Sequence, residues 1–131
     1  MGIKIPIKEL VKNHHGGCVL YSIAIMLNKD LDEILERTGL PKNYWVSERD
    51  LYELEKRFPI EVLEIYQNAE KVVDSKIENY NTVVVLYDDH SVVVYGMDEK
   101  YYFIYDSYKG RKKKIKKERL GSLAEYVIIP K

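Results

Sequence analysis

A ten-residue apolar segment near the N-terminus leaves this chain few folds to adopt. Cys18–Leu27 carries apolar side chains on every face of a helix, which is typical of a helix buried at the centre of a domain. Gly16 and Gly17 precede it, so Cys18 is predicted at the helix N-terminus. The uncharged run of residues 16–28 is shorter than the about 20 apolar residues that cross a bilayer. The segment therefore predicts a core helix of a globular domain.

The remaining pattern changes from helical to strand-like along the chain. Ser47-Glu48-Arg49-Asp50 resembles a capping box at the start of a helix, and Asn68 is expected to cap a short helix that runs through Ile77. Turns are expected at Asp88-Asp89, Asp98-Glu99 and Lys109-Gly110. Short loops favour antiparallel pairing, which predicts an α+β fold with N-terminal helices packed on an antiparallel β-sheet. A further helix is expected at Leu31–Thr38, and strands are expected at 60–66, 82–87, 91–97, 101–105 and 126–129.

Composition narrows the class of protein. The 131 residues are 46% apolar and 32% charged, which predicts one soluble domain over residues 1–131. Lys+Arg and Asp+Glu are both 21, so we expect no nucleic-acid partner and no membrane association. One cysteine excludes an internal disulfide, and with no signal-peptide pattern at the start it favours the cytoplasm. Twelve tyrosines and one glutamine resemble the usage of a thermophile.

Cys18 is the candidate nucleophile. The first N–H groups of a helix stabilise a thiolate and lower the pKa of the thiol, and they can also bind the oxyanion formed when the thiolate attacks a carbonyl. On its own, however, a lone cysteine in an apolar helix is more often a small core residue. The assignment therefore depends on its partners.

His90 and Asp106 are the candidate partners. His90 opens a strand of otherwise apolar residues, and Asp106 ends the next strand. A three-residue loop, 98–100, would pair Met97 with Tyr101 and place His90 and Asp106 on one face, roughly 7 Å apart at the backbone. A loop one residue shorter would separate them unless a bulge intervened. This spacing predicts a Cys–His–Asp site.

These residues lie in segments that are similar to a known family. Gly-Cys at the head of an apolar helix, then His-Ser-Val-Val-Val-Tyr-Gly, then Tyr-Phe-Ile-Tyr-Asp-Ser-Tyr-Lys-Gly-Arg resembles the peptidase C39-like domains. These are papain-like cysteine peptidases, best known for removing leader peptides at double-glycine sites. The resemblance implies a papain-like fold, a peptide or protein substrate, and a triad of Cys18, His90 and Asp106 that needs no cofactor or metal.

The chain departs from the family before its cysteine. The family usually has a glutamine about six residues earlier, which completes the oxyanion hole, whereas this chain has Lys12. Asn13 or His14 is the candidate replacement, since each side chain can donate a hydrogen bond. Two alternatives follow: an inactive domain that binds a peptide in the cleft, and an acyltransferase or amidase that uses the same site.

Two other patterns are given a structural interpretation. His14, His15, Cys18 and His90 could resemble zinc ligands, but their spacing contains no metal-binding pair, so no metal is expected. The basic run at 111–117 could contact nucleic acid, yet a lysine-rich run in a neutral chain is more typical of a solvated edge strand.

Overall fold

The computed structural model describes residues 4–87 and 90–131. They form five α-helices and six β-strands, with three of the helices before the first strand. The turn predicted at Asp88-Asp89 lies outside the described residues. The helices are α1 Cys18–Leu27, α2 Leu31–Thr38, α3 Glu48–Arg57, α4 Ala69–Ile77 and α5 Lys117–Leu123. The strands are β1 Ile60–Glu64, β2 Thr82–Leu86, β3 Ser91–Met97, β4 Tyr101–Asp106, β5 Arg111–Lys116 and β6 Ala124–Pro130.

The six strands form one antiparallel sheet in the order β1-β6-β2-β3-β4-β5. The strands with apolar residues on both faces, β2 and β3, lie inside the sheet, as their patterns predict. Helices α1 to α3 contribute to the hydrophobic core on one face, and α4 and α5 contribute to the core on the other. The basic run forms β5, which is an exposed edge strand.

Helix α1 lies at the centre of the larger core, as its apolar sequence predicts. Leu20, Ile23, Ala24 and Ile25 are fully buried, and the helix packs on β2 and β3. In residues 4–87 and 90–131, no helix has both the length and the apolar character needed to cross a membrane. The buried helix therefore serves as the scaffold against which the sheet is assembled.

Helix ends follow the sequence in one case and depart from it in another. Ser47 and Asp50 form the predicted capping box at α3, with hydrogen bonds in both directions. Asn68 is the N-cap residue of α4 and the helix runs through Ile77, as predicted, but Asn68 has a left-handed backbone (φ 56°) and its side chain makes no capping hydrogen bond. Helix α5 was not predicted, since it contains Gly121 and Ser122 and buries only one residue, Leu120.

The predicted register at the β3–β4 hairpin is wrong at the turn and right at the far end. Met97 pairs with Tyr102 rather than Tyr101, so four residues rather than three separate the last paired positions of the hairpin. The register shifts by one residue between Val94 and Gly96, and from the Val94–Ile104 pair toward the end of β4 it is the predicted one. The turn contains one residue more than predicted, and a β-bulge in β3 compensates for it. The end of β4 therefore lies beside the start of β3, as predicted.

Candidate active site

A glycine pair fixes the start of α1 and with it the place of Cys18. Gly16 and Gly17 both have positive φ angles, 79° and 78°. A Cβ atom on Gly17 would lie 2.0 Å from the carbonyl oxygen of Lys42, so no side chain fits there. The Gly17 N–H also donates to the Tyr44 carbonyl at 3.1 Å. The chain thus turns sharply against the 42–44 loop, and Cys18 becomes the first residue of the helix.

Three side chains from three elements meet at the end of the sheet. The Cys18 Sγ lies 3.3 Å from Nδ1 of His90, and Nε2 of His90 lies 3.0 Å from Oδ2 of Asp106. His90 directly precedes β3, where its carbonyl accepts from the Leu86 N–H, and Asp106 is the last residue of β4. The structure thus brings together the three residues that the sequence nominated for the site.

Asp106 is held in place by contacts on both carboxylate oxygens. Oδ1 accepts the Tyr108 N–H at 2.9 Å, which leaves Oδ2 for the imidazole. Lys113 Nζ lies 4.0 Å from Oδ2. Burial favours the neutral acid, but the hydrogen bond and charge of His90, helped by these neighbours, outweigh it and lower the pKa of Asp106. Asp106 is therefore an anion with a fixed orientation.

The thiol and the imidazole shift each other toward the charged forms. Burial is the largest single effect on Cys18 and opposes ionisation, yet the His90 hydrogen bond and the charges of His90 and Lys12 together lower the pKa of the thiol. The hydrogen bond to Asp106, followed by the one to Cys18, raises the pKa of His90 to about 10. These directions favour a thiolate beside an imidazolium at neutral pH.

The three residues open into a cavity of about 330 Å³. His15, Trp45 and Tyr108 give it aromatic walls, and the His15 ring stacks on Tyr108 at 6.2 Å between centroids. The Trp45 side chain is exposed (56%), so the cavity is open to solvent on that side. Such a cleft admits an elongated ligand to the thiol.

The residues predicted to complete the oxyanion hole face elsewhere. Asn13 is exposed, and the two ring nitrogens of His14 lie 3.1 Å from the His15 carbonyl and the Tyr21 hydroxyl. Neither residue lines the cavity. Within residues 4–87 and 90–131, no group of three or more His, Cys, Asp or Glu is arranged to hold a metal ion.

Lys12 is the cleft residue whose place the sequence reasoning missed. The sequence shows it only as the absence of the family's glutamine, but its side chain lines the cavity together with Cys18, and Lys12 is 2% exposed. The signal was its position six residues before the cysteine, where the resembling family carries a polar donor. A buried lysine is not predicted by apolar periodicity, because its burial depends on the cleft around it.

Comparisons with known proteins bear on the fold. No protein-family model matches the chain, and no curated protein matches its sequence. A solved structure described as a double glycine motif protease from an AMS/PCAT transporter, in complex with the leader peptide, superposes with a TM-score of 0.66. The two sequences are 17% identical over 95% of this chain and 92% of that one. The chain therefore has the papain-like fold of a C39 peptidase domain, with helices packed on a six-stranded antiparallel sheet.

Proposed function

We propose that this protein is a cysteine hydrolase that cleaves peptide bonds through Cys18, His90 and Asp106. The observation that carries the proposal is the continuous chain of contacts from Sγ to Nδ1 at 3.3 Å and from Nε2 to Oδ2 at 3.0 Å. A nucleophile, a base and a residue that orients the base are the parts that acyl transfer requires. The fold shared with a protease that binds a peptide supports a peptide as the substrate.

The reaction begins from the charged pair. The Cys18 thiolate adds to the carbonyl carbon, which forms a C–S bond and moves the carbonyl π electrons to oxygen. When the tetrahedral intermediate collapses, the C–N bond breaks and His90 gives its Nδ1 proton to the leaving amine. Neutral His90 then takes a proton from water, whose oxygen attacks the thioester and releases the acid. The proton returns His90 to the imidazolium form as the thiolate leaves.

Asp106 gives His90 one orientation through this cycle. Because its Oδ1 is engaged by the Tyr108 N–H, the carboxylate presents Oδ2 to Nε2. Nε2 therefore keeps its proton, and only Nδ1 exchanges a proton with sulfur, leaving group and water. Cys18 is also the first residue of α1, and the start of a helix favours negative charge on the sulfur.

Thiol labelling tests the activated nucleophile. Iodoacetamide should modify Cys18 faster than N-acetylcysteine at neutral pH, and His90→Ala should lower that rate toward the model thiol. His14→Ala is the matched control, since its ring lies outside the cavity and contacts Tyr21. A wild-type rate equal to that of the model thiol, unaffected by His90→Ala, would remove the basis of the proposal.

A peptide library tests hydrolysis itself. We expect mass spectrometry to detect cleaved peptides with wild type and none with Cys18→Ala. The library also separates the two alternatives that use the same fold. Transfer of the acyl group to an added amine, in place of water, would make the protein an acyltransferase. Peptide binding that survives Cys18→Ala, with no cleavage by wild type, would make it a binding domain.

A further inference from the structure

A buried ammonium group shares the cleft with the thiol. Lys12 is 2% exposed, and its Nζ donates to the His14 carbonyl at 2.6 Å. The same atom lies 5.1 Å from the centre of the Tyr108 ring. Over the described ranges 4–87 and 90–131, no carboxylate oxygen lies within 4.0 Å of it. A cation removed from water is costly, so an anion in the cleft stabilises it: the Cys18 thiolate before attack and the oxyanion after it.

The backbone of Lys12 is fixed to the turn that follows β4. Its N–H donates to the Ser107 carbonyl at 2.7 Å, and its carbonyl accepts the Lys109 N–H at 3.0 Å. Two residues earlier, the Leu10 carbonyl accepts from the Tyr105 hydroxyl at 2.9 Å. The segment that carries the ammonium is therefore attached to the strand that carries Asp106, and its position is set relative to the catalytic pair.

We infer that the Lys12 ammonium is a catalytic residue that donates a hydrogen bond to the oxyanion formed when Cys18 attacks a carbonyl group. An ammonium has three N–H donors, and the His14 carbonyl takes one, which leaves donors for the cleft. As the C–S bond forms, the carbonyl π electrons become a lone pair on oxygen, and the ammonium stabilises that charge without giving up a proton. The inference depends on the proposed hydrolase activity.

The electrostatics of the thiol support this arrangement independently. After burial, which opposes ionisation, and the contacts with His90, the charge of Lys12 is among the causes that lower the pKa of Cys18. The field of Lys12 therefore reaches the sulfur, next to which the oxyanion must form. Asn13 and His14 do not line this cavity, so Lys12 is the better placed donor.

Two reactions of one thiol separate oxyanion stabilisation from thiol activation. Acylation by p-nitrophenyl acetate, followed as the burst of p-nitrophenol, passes through a tetrahedral oxyanion. Alkylation by iodoacetamide displaces iodide at carbon and forms no oxyanion. The ratio of the two rate constants therefore cancels any change in thiolate fraction. The ratio is measured on the full chain for wild type, Lys12→Met, Lys12→Gln and Lys114→Met. Lys114→Met is the control, because the Lys114 ammonium on β5 lies over the ring of Tyr101 on β4.

We expect Lys12→Met to lower the acylation-to-alkylation ratio by about 10²-fold. Lys12→Gln keeps amide donors and should recover at least about tenfold of that loss, while Lys114→Met leaves the ratio unchanged. Alkylation in both Lys12 variants that reaches the wild-type rate at high pH, where the thiol is fully ionised, would show that the cleft is intact. A ratio unchanged in Lys12→Met, or equally low in Lys12→Gln, would overturn the inference while leaving the hydrolase proposal standing. Wild type that acylates no faster than N-acetylcysteine would overturn both.

Discussion

Replacing Asp106 by asparagine tests the electrostatic account of the site with little change in shape. In wild type, Oδ1 accepts the Tyr108 N–H and Oδ2 accepts Nε2–H of His90. Asparagine can supply only one of these acceptors. If its oxygen stays on Tyr108, its NH₂ group faces Nε2, which must then be unprotonated. If the amide flips, the NH₂ group faces the Tyr108 N–H instead. Either choice disfavours the imidazolium.

The size of the effect follows from the hydrogen bond that is lost. A hydrogen bond to a charged group contributes about 1.5–3 kcal/mol, and one pKa unit corresponds to about 1.36 kcal/mol. The pKa of His90 should therefore fall by about one to two units from its value of about 10. The thiolate then loses much of its paired cation, so the pKa of Cys18 should rise.

The assay is the rate of iodoacetamide alkylation as a function of pH. We expect the midpoint of the rate curve to move to higher pH by about one unit or more in Asp106→Asn. Asp98→Asn is the matched control, because the Asp98 carboxylate likewise accepts two hydrogen bonds, here from backbone N–H groups at 2.8 and 2.7 Å, at the other end of the same hairpin. A folded Asp106→Asn protein whose midpoint coincides with that of wild type and of Asp98→Asn would refute the reasoning.

Three further outcomes are expected. An NMR titration should show His90 losing its imidazolium proton near pH 10, and a midpoint near the free value of about 6.5 would contradict the ion pair. Gly17→Ala should lower the free energy of unfolding in urea by about 2 kcal/mol or more, and by more than Gly39→Ala, whose φ is also positive (70°) but whose Cβ would meet nothing within 4 Å. The buried hydroxyls of Ser22 and Ser91 lie 2.8 Å apart, so each single alanine variant should cost about 1–3 kcal/mol and the double variant less than the sum.

Much of the fold could be predicted because local pattern and burial agree. Helix α1 has no polar face, so it can only be central, and β2 and β3 have no polar face, so they can only be internal strands. Helix α5 and the conformation of Asn68 could not be predicted in this way. They bury few side chains, and the surrounding chain rather than their own pattern decides them.

The bulge in β3 had a sequence signal that the register argument did not use. Gly96 interrupts an otherwise apolar strand, and an isolated glycine in a strand often marks a bulge. A Cβ at this position would lie 3.0 Å from the Phe103 ring, so the close approach of the two strands favours glycine. The bulge is further held by Lys4, whose Nζ donates to the Tyr95 carbonyl at 3.3 Å. This last contact joins residues 91 positions apart, which periodicity cannot anticipate.

The candidate site could be nominated from sequence because its members stand at element ends, where a polar residue interrupts an apolar pattern. Cys18 opens a helix, His90 precedes a strand, and Asp106 closes one. Lys12 could not be predicted as a site residue from the pattern, because it lies outside the helices and strands and only the tertiary structure brings it to the thiol. Pattern therefore identifies the residues that rigid elements position, and it misses those positioned by contacts between distant loops.

The end of β4 organises both charges that face the thiol. Asp106 holds the imidazole, and the next residues, Ser107 to Lys109, hold the backbone of Lys12, which lines the same cleft. Asp106 and the residues that hold the Lys12 backbone are therefore adjacent in sequence, at the end of one internal strand. A displacement of this strand end would move the two groups together relative to Cys18. Variants of the 107–109 turn should accordingly impair acylation and alkylation together, whereas a change of the Lys12 side chain alone should impair acylation more than alkylation.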